Sequence, residues 1–418
     1  MFRSRVATRD GGGMGHTRDS GTAATEARAA SRRPAREMWL LAAIVVGAVA
    51  LRIGWIWHAN VNPFDGRNDD TVFYYATARS IAAHLDYRDQ YGRLTAAWPP
   101  GYSLTLAPVL KVLGAGLWQA KALNVALSAA TVVLTYALGR RVFGAGAGLT
   151  AAAILAAFPG DIFFSTLIMT EVLFGFVFLL SIYLLLAWTL GEAEARAWQL
   201  LALGLLLGYA TLIKSEAVFL APAVVVLWKF ALPGWRRTLR YGAVLAVGFV
   251  LALAPWTARN YARFDGFVPL RLNAGDYLSI AFERNYQSRA DRFVVRALPY
   301  SETVGYMARH PWEIVPLQVD KLWYFVHDDA DGARWAQNDV PTLPRTEAKA
   351  WGGVATLYWW AVLVVVAASV RTWWPGRDRA RLAVVFAVVA WTGIEIISWP
   401  FTRYHFALLP IVSVLAGA

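Results

Sequence analysis

Apolar residues in this chain do not recur as one stripe of otherwise polar helices. They run in long blocks separated by short polar or basic joints. Crossing about 30 Å of hydrocarbon at 1.5 Å per residue takes about 20 residues. The pattern predicts spanning helices over 38–58, 117–139, 146–160, 165–190, 198–213, 215–232, 240–257, 353–370, 380–398 and 402–418. Residues 71–85 alternate aromatic and small side chains at helical spacing, which predicts an amphipathic helix at the interface packed by Phe73, Tyr74 and Tyr75. Residues 1–37, with Gly11–Gly13 and many Ala, Ser and Thr, read as a disordered tail. The tail ends in a basic anchor, and an uncleaved signal anchor is expected to follow it. Segment 258–352 mixes helical periodicity, aromatics and turn signals at Gly332 and Pro341–Pro344, and reads as a cap over the membrane part. The expectation is therefore an all-α polytopic membrane protein: tail 1–37, transmembrane core 38–257 with a large outer loop 59–116, cap 258–352, and C-terminal helices 353–418.

Composition supports the membrane reading. Hydrophobic types make up 57 % of the 418 residues and charged types 16 %, against about 25 % charge in soluble domains. So few charges cannot cover so much apolar surface, and a soluble globule is excluded. The net charge of +12 sits in short clusters between apolar runs, which marks membrane topology rather than a nucleic-acid face. With no cysteine, disulfides, thiolate metal ligands and thiol catalysis are excluded.

Basic residues then set the sidedness. Arg32, Arg33 and Arg36 place the N-terminus in the cytoplasm. Arg140 and Arg141, the cluster Lys229, Arg236, Arg237 and Arg240, and the cluster Arg371, Arg377, Arg379 and Arg381 share that side only if the apolar stretch 101–114 does not cross. It is therefore read as re-entrant or interfacial, leaving ten crossings. Segments 59–116 and 258–352 are then extracytoplasmic.

Under this topology the polar chemistry converges on the outer face. Asp69 and Asp70 follow the first span, Asp161 lies between spans three and four, and Glu171 lies about one and a half turns into span four. Lys214 and Glu216 join spans five and six, Arg259 and Asn260 follow span seven, and Arg403 and His405 open span ten. Ionisable groups at such depths are costly unless they pair or face an aqueous cavity. Single residues among them read equally well as structural ion pairs, but the convergence of the set points to a cavity. Adjacent carboxylates disfavour double ionisation, which suits a general base or a pair of metal ligands at Asp69–Asp70. Trp98–Pro99–Pro100–Gly101–Tyr102 cannot be helix interior, because two prolines remove donors and fix the backbone. It reads as a rigid helix start or as a turn shaping a cleft.

The order of these motifs resembles the GT-C superfamily of integral-membrane glycosyltransferases. It comprises Asn68-Asp69-Asp70-Thr71-Val72-Phe73-Tyr74-Tyr75-Ala76 and Trp98-Pro99-Pro100-Gly101-Tyr102, then Tyr136 to Gly144 and Phe158-Pro159. Met169 to Phe174, Leu212-Ile213-Lys214-Ser215-Glu216, Pro255 to Asn260 and Arg403-Tyr404-His405 complete it. The resemblance covers about 38–418 and is nearest to bacterial protein mannosyltransferases, aminoarabinose transferases and lipopolysaccharide-core transferases. It implies a GT-C fold in the plasma membrane, with the active site extracytoplasmic and a sugar taken from a polyprenyl phosphate carrier with inversion. The acceptor implied is a hydroxyl of a cell-envelope glycan, lipid or protein. The family's first-loop carboxylate matches Asp69, with Asp70 second where many relatives have glutamate, and Glu171 is a further acid candidate. Arg403 matches the basic residue serving the carrier phosphate, helped by Lys214, Arg259 and His405. Trp98, Pro99, Pro100 and Tyr102 shape the cleft for the isoprenoid chain. Relatives with monophosphate-linked donors generally work without a metal, so no cofactor is expected, and no nucleic-acid partner. The competing classes are a transporter of polyprenol-linked glycans and a non-catalytic subunit of a polymer-assembly complex.

Overall fold

The structure, a computed structural model, describes residues 20–65, 69–191, 193–272, 305, 308–309, 311–339, 343–398 and 401–418. Side chains are described for all of these except 20–34, 69, 313, 314 and 339. Apart from one isolated bridge between Arg88 and Leu94, the regular structure there is helical.

Helix α1 runs Ser20–Ala59. Residues 20–37, expected as disordered tail, form its first turns, and their alanines have the strongest helix preference. Then come α2 (Asp69–His84), α3 (Gly101–Leu113), α4 (Leu117–Phe143), α5 (Ala145–Ala156), α6 (Pro159–Phe164), α7 (Thr170–Thr189) and α8 (Ala197–Ile213). After a 3-10 turn at Ser215–Phe219 follow α9 (Leu220–Ala231) and α10 (Trp235–Phe264). Helices α11 (Pro311–Val326) and α12 (Asp331–Asp339) lie in the segment read as a cap. They are followed by α13 (Arg345–Ala368), α14 (Arg379–Ile397), a 3-10 segment at Thr402–Leu408, and α15 (Leu409–Ala416). Six stretches are long and apolar enough to span a bilayer: Ala35–Ala59, α4, α7, α10, α13 and α14. The protein is thus a multi-pass, all-α membrane protein.

Three expected spans are built differently from the sequence reading. Span 165–190 starts as a helix only at Thr170, after the separate α6, which has proline at its first position. Spans 215–232 and 402–418 each begin as 3-10 helix and become α-helical at Leu220 and Leu409. Pro222 and Pro410 sit in the first α turn of each, where a missing N–H costs nothing. Helix α3 has 13 residues, about 20 Å against about 30 Å of hydrocarbon. Phe73, Tyr74 and Tyr75 on α2 are all buried, so this helix is packed into the protein rather than resting on it.

The basic joints meet at one end of the bundle. Arg140 at the end of α4 pairs with Glu37 of α1 at 2.9 Å, and Arg381 at the start of α14 lies over the Phe143 ring. The close approach of α8 to α10 rests on glycine. A Cβ at Gly204 would lie 2.1 Å from the Leu245 carbonyl oxygen, and one at Gly248 would lie 2.2 Å from that of Leu201. With Gly208 one turn on, α8 presents a small-xxx-small face that lets two backbones touch. This packing fixes where the far end of α8 delivers Lys214.

Candidate active site

At the opposite end of the bundle, helix termini surround one charged cavity. Asp70 and Tyr74 come from α2, Trp98 and Pro99 from the turn before α3, and Met169, Thr170 and Glu171 from the start of α7. Ile213, Lys214, Ser215 and Glu216 come from the end of α8, Arg271 from the loop after α10, and Arg403 and Tyr404 from the 3-10 segment. The cavity is narrow, with about 50 Å³ of free space.

Its charges are paired. Arg403 Nη1 donates to Asp70 Oδ2 at 3.2 Å, and its Nε lies 3.8 Å from Glu171 Oε1. Lys214 Nζ donates to the same Glu171 oxygen at 3.1 Å. Glu171 is only 2 % exposed. Two cations and the amino end of α7 surround this carboxylate. The Arg403 guanidinium lies among Trp335 (4.5 Å), Tyr404 (5.3 Å) and Phe401 (5.5 Å), while Lys214 sits 4.1 Å above the Tyr404 ring. Such contacts fix the direction of a planar cation that can hold two oxygens at once. The Arg403 backbone N–H donates to Asp331 Oδ2 at 2.7 Å, the Thr402 hydroxyl donates to the same oxygen, and Arg334 holds Asp331 Oδ1 at 3.1 Å. The 3-10 segment is thereby tied to α12.

The structure brings Asp70, Glu171, Lys214, Arg403, Trp98 and Pro99 together in this cavity. Asp69 opens α2 beside them, but its carboxylate lies outside the described residues. Five other residues expected at the site stand elsewhere. His405 is sealed from solvent: Nδ1 donates to the Phe325 carbonyl, Nε2 meets Asp329 Oδ1 at 3.0 Å, and the ring stacks on Trp359 at 4.4 Å. It holds the segment behind Arg403 and does not face a donor phosphate. Burial pushes the Asp329 carboxyl above its ordinary value, against the pull of His405. Arg259 turns away from the cavity to donate to the Thr95 and Tyr87 carbonyls at 2.8 and 3.2 Å. Tyr102 is fully buried one layer behind, with its hydroxyl on Asn124 Oδ1 at 3.1 Å and its ring against Tyr74. Pro100 is the buried residue before α3 and does not line the cleft. Asp161 is the buried partner of Arg52 at 2.9 Å, a structural pair.

Two site residues escaped the sequence reading. Arg271 lines the cavity and lies 5.6 Å over the Trp98 ring; nothing in its local spacing distinguishes it. Glu395, 1 % exposed on α14, has Glu216, Lys214, Glu171 and Arg403 as its charged neighbours. A lone glutamate inside the apolar run 380–398 was the available signal.

Beside the charged cavity stands a rigid hairpin. Arg88 bridges Leu94, the Gly92 N–H donates to the Asp89 carbonyl, and Gly92 takes a φ of +75°, which glycine adopts freely. Asp89 Oδ1 accepts from the Tyr91 and Arg93 N–H groups, and Oδ2 from Arg93 Nε. Slight burial works against the Asp89 charge, but these donors hold its carboxyl below its ordinary value. Arg259 braces the hairpin from behind, and the Tyr87 hydroxyl fastens it to the Trp98 carbonyl.

Residues 97–258 match the sequence profile of the family described as dolichyl-phosphate-mannose-protein mannosyltransferase. Among solved structures, the chain is similar to ArnT from Cupriavidus metallidurans bound to undecaprenyl phosphate. The TM-score is 0.57 at 17 % identity, over 89 % of this chain and 59 % of that one. It is also similar to the archaeal oligosaccharyltransferase AglB from Archaeoglobus fulgidus in complex with an inhibitory peptide and a dolichol-phosphate. There the TM-score is 0.59 at 15 % identity, over 92 % of this chain and 50 % of that one. A comparison with curated proteins gives no match. The chain spans about half to three-fifths of the length of these structures. The order of helices, the segment α2–α3 and the matched profile together show that this protein has the GT-C fold.

Proposed function

We propose that the protein is an inverting glycosyltransferase that moves a sugar from a polyprenyl-phosphate donor to a hydroxyl of a cell-envelope acceptor on the extracytoplasmic face. The observation that carries this reading is the meeting of Lys214, Arg271 and Arg403 with carboxylates in one cavity at the ends of the bundle helices. The family description for 97–258 and the undecaprenyl phosphate bound to the similar ArnT structure support a lipid-phosphate donor. The donor arrives by lateral diffusion, and its phosphate takes Arg403 over from Asp70. Asp69 accepts the proton of the acceptor hydroxyl as the hydroxyl oxygen attacks the anomeric carbon. The bond from that carbon to the phosphate oxygen breaks, and Arg403 and Lys214 offset the charge developing on the departing polyprenyl phosphate. The reading takes α5, α8 and the two segments that begin as 3-10 helix to complete the six long spans to ten crossings, with the cavity on the extracytoplasmic side. Cations face the carboxylates of the cavity, so the reaction is proposed to need no divalent ion, and a chelator leaves transfer unchanged.

The test is incubation of the purified protein with radiolabelled polyprenyl-phosphate sugars and a membrane extract as acceptor. Wild type moves the label; Asp69→Asn loses turnover by about 100-fold or more while still binding carrier. Absence of both transfer and donor hydrolysis with folded wild type and every carrier would overturn the enzyme reading.

A further inference from the structure

A second cavity, of about 460 Å³, opens directly beside the first. Trp98 lines both, and consecutive residues of α2 divide them: Tyr74 faces the charged cavity and Phe73 the larger one. The remaining wall is the hairpin, through Asp89, Gln90, Tyr91, Arg93, Leu94, Thr95 and Ala97. None of these hairpin groups lines the charged cavity.

Three properties of this wall point to a ligand. The Tyr91 ring is 71 % exposed, and Arg93 covers it at 4.7 Å, so an aromatic plane is held upright in water at the cavity's edge. Gln90 lines the cavity, and its Oε1, hidden from solvent, has no hydrogen-bond partner among the described residues, a costly arrangement that rotation of the amide toward an incoming hydroxyl donor would repair. The turn carrying both is over-determined by the Asp89 carboxylate, Gly92 and Arg259. Such ordering opposes chain entropy, and here it fixes the side chains that line the cavity. Aromatic planes beside planar amide and guanidinium groups suit a ligand with apolar C–H faces and a rim of hydroxyls. A lipid tail would leave the Gln90 amide unanswered.

We propose that this second cavity is the acceptor subsite and that it takes a glycan chain, stacked on Tyr91 and hydrogen-bonded by Gln90, with its reacting hydroxyl passed across Trp98 to the charged cavity. Its role as acceptor site rests on the transferase reading; glycan binding itself does not.

The experiment therefore measures binding alone. Full-length protein in nanodiscs is presented with short synthetic saccharides of hexose, pentose and N-acetylhexosamine units, and saturation-transfer NMR reads contact. At least one saccharide binds. Tyr91→Ala weakens it by about tenfold or more, Gln90→Ala weakens it less, and Tyr91→Phe, which keeps the plane, restores it. Arg403→Ala, which alters only the charged cavity, leaves saccharide binding intact. Failure of every saccharide with wild type, or binding indifferent to Tyr91 and Gln90, overturns the proposal. Saccharide binding without sugar transfer from any donor would sustain the subsite and overturn the transferase reading instead.

Discussion

At the scale of single residues, Arg403 and Lys214 do different work. Arg403 is a guided fork among three aromatic rings, shared between Asp70 and Glu171. Arg403→Lys keeps a charge but loses the plane and the second donor. We expect turnover to fall on the order of 100-fold, with a smaller change in the donor KM, because the fork matters most as the leaving phosphate gains charge. Steady-state kinetics with a purified donor read this directly. Lys214 pairs with Glu171 in a site 2 % exposed to solvent. Lys214→Met removes the closer of its two cations and should destabilise the fold by about 3 kcal/mol. Lys214→Met combined with Glu171→Gln should recover most of that stability while remaining inactive. A thermal melt in detergent separates the two results, and equal melting of the single and double variants would rule the pairing argument out.

At the scale of elements, chemistry depends on how closely helices approach. Gly204→Val inserts a branched side chain where even a Cβ meets the Leu245 carbonyl oxygen at 2.1 Å. Overpacking of this kind costs about 1–3 kcal/mol, and here it also shifts the end of α8 that carries Lys214. A lowered melting temperature with a disproportionate loss of activity is the expected pair of results. Gly160 gives a sharper case, since a Cβ there would lie 2.3 Å from Asp329 Oδ2. Gly160→Ala should push Asp329 off His405 and loosen the 3-10 segment behind Arg403, raising the donor KM. Arg403 kinetics in that background check it. The sequence made the helices legible because hydropathy is a local property, summed over a window. It also placed Asp70, Glu171, Lys214 and Arg403 on one face, because sidedness follows from counting crossings. It could not say that Arg259 would turn back to the hairpin carbonyls or that Tyr102 would sit behind Tyr74. Those outcomes depend on which rotamer fits between elements distant in sequence. Arg271 was invisible for a related reason, since only the return of the loop after α10 carries it to Trp98.

At the scale of the whole molecule, the prediction concerns sidedness. Helices α1, α4, α7, α10, α13 and α14 alternate between a basic end, where Arg140 meets Glu37 and Arg381 meets Phe143, and the end that holds the charged cavity. Basic joints are retained in the cytoplasm, so the cavity faces outward if an odd number of passes separates it from the N-terminal side of α1. The chain has no cysteine, which makes single-cysteine mapping free of background. Tyr91→Cys lies in the hairpin before α3, at a position 71 % exposed. Arg377→Cys lies in the basic joint before α14. A membrane-impermeant maleimide added to intact cells should label the first and spare the second, and both should react once the membrane is opened. Labelling of both from outside would mean that one more segment crosses between them. The 13-residue α3 would be the first suspect, despite a length of about 20 Å against about 30 Å of hydrocarbon. Protection of Tyr91→Cys with exposure of Arg377→Cys would invert the molecule. It would move the cavity to the cytoplasmic face, where a carrier-linked donor destined for the cell envelope could not meet its acceptor.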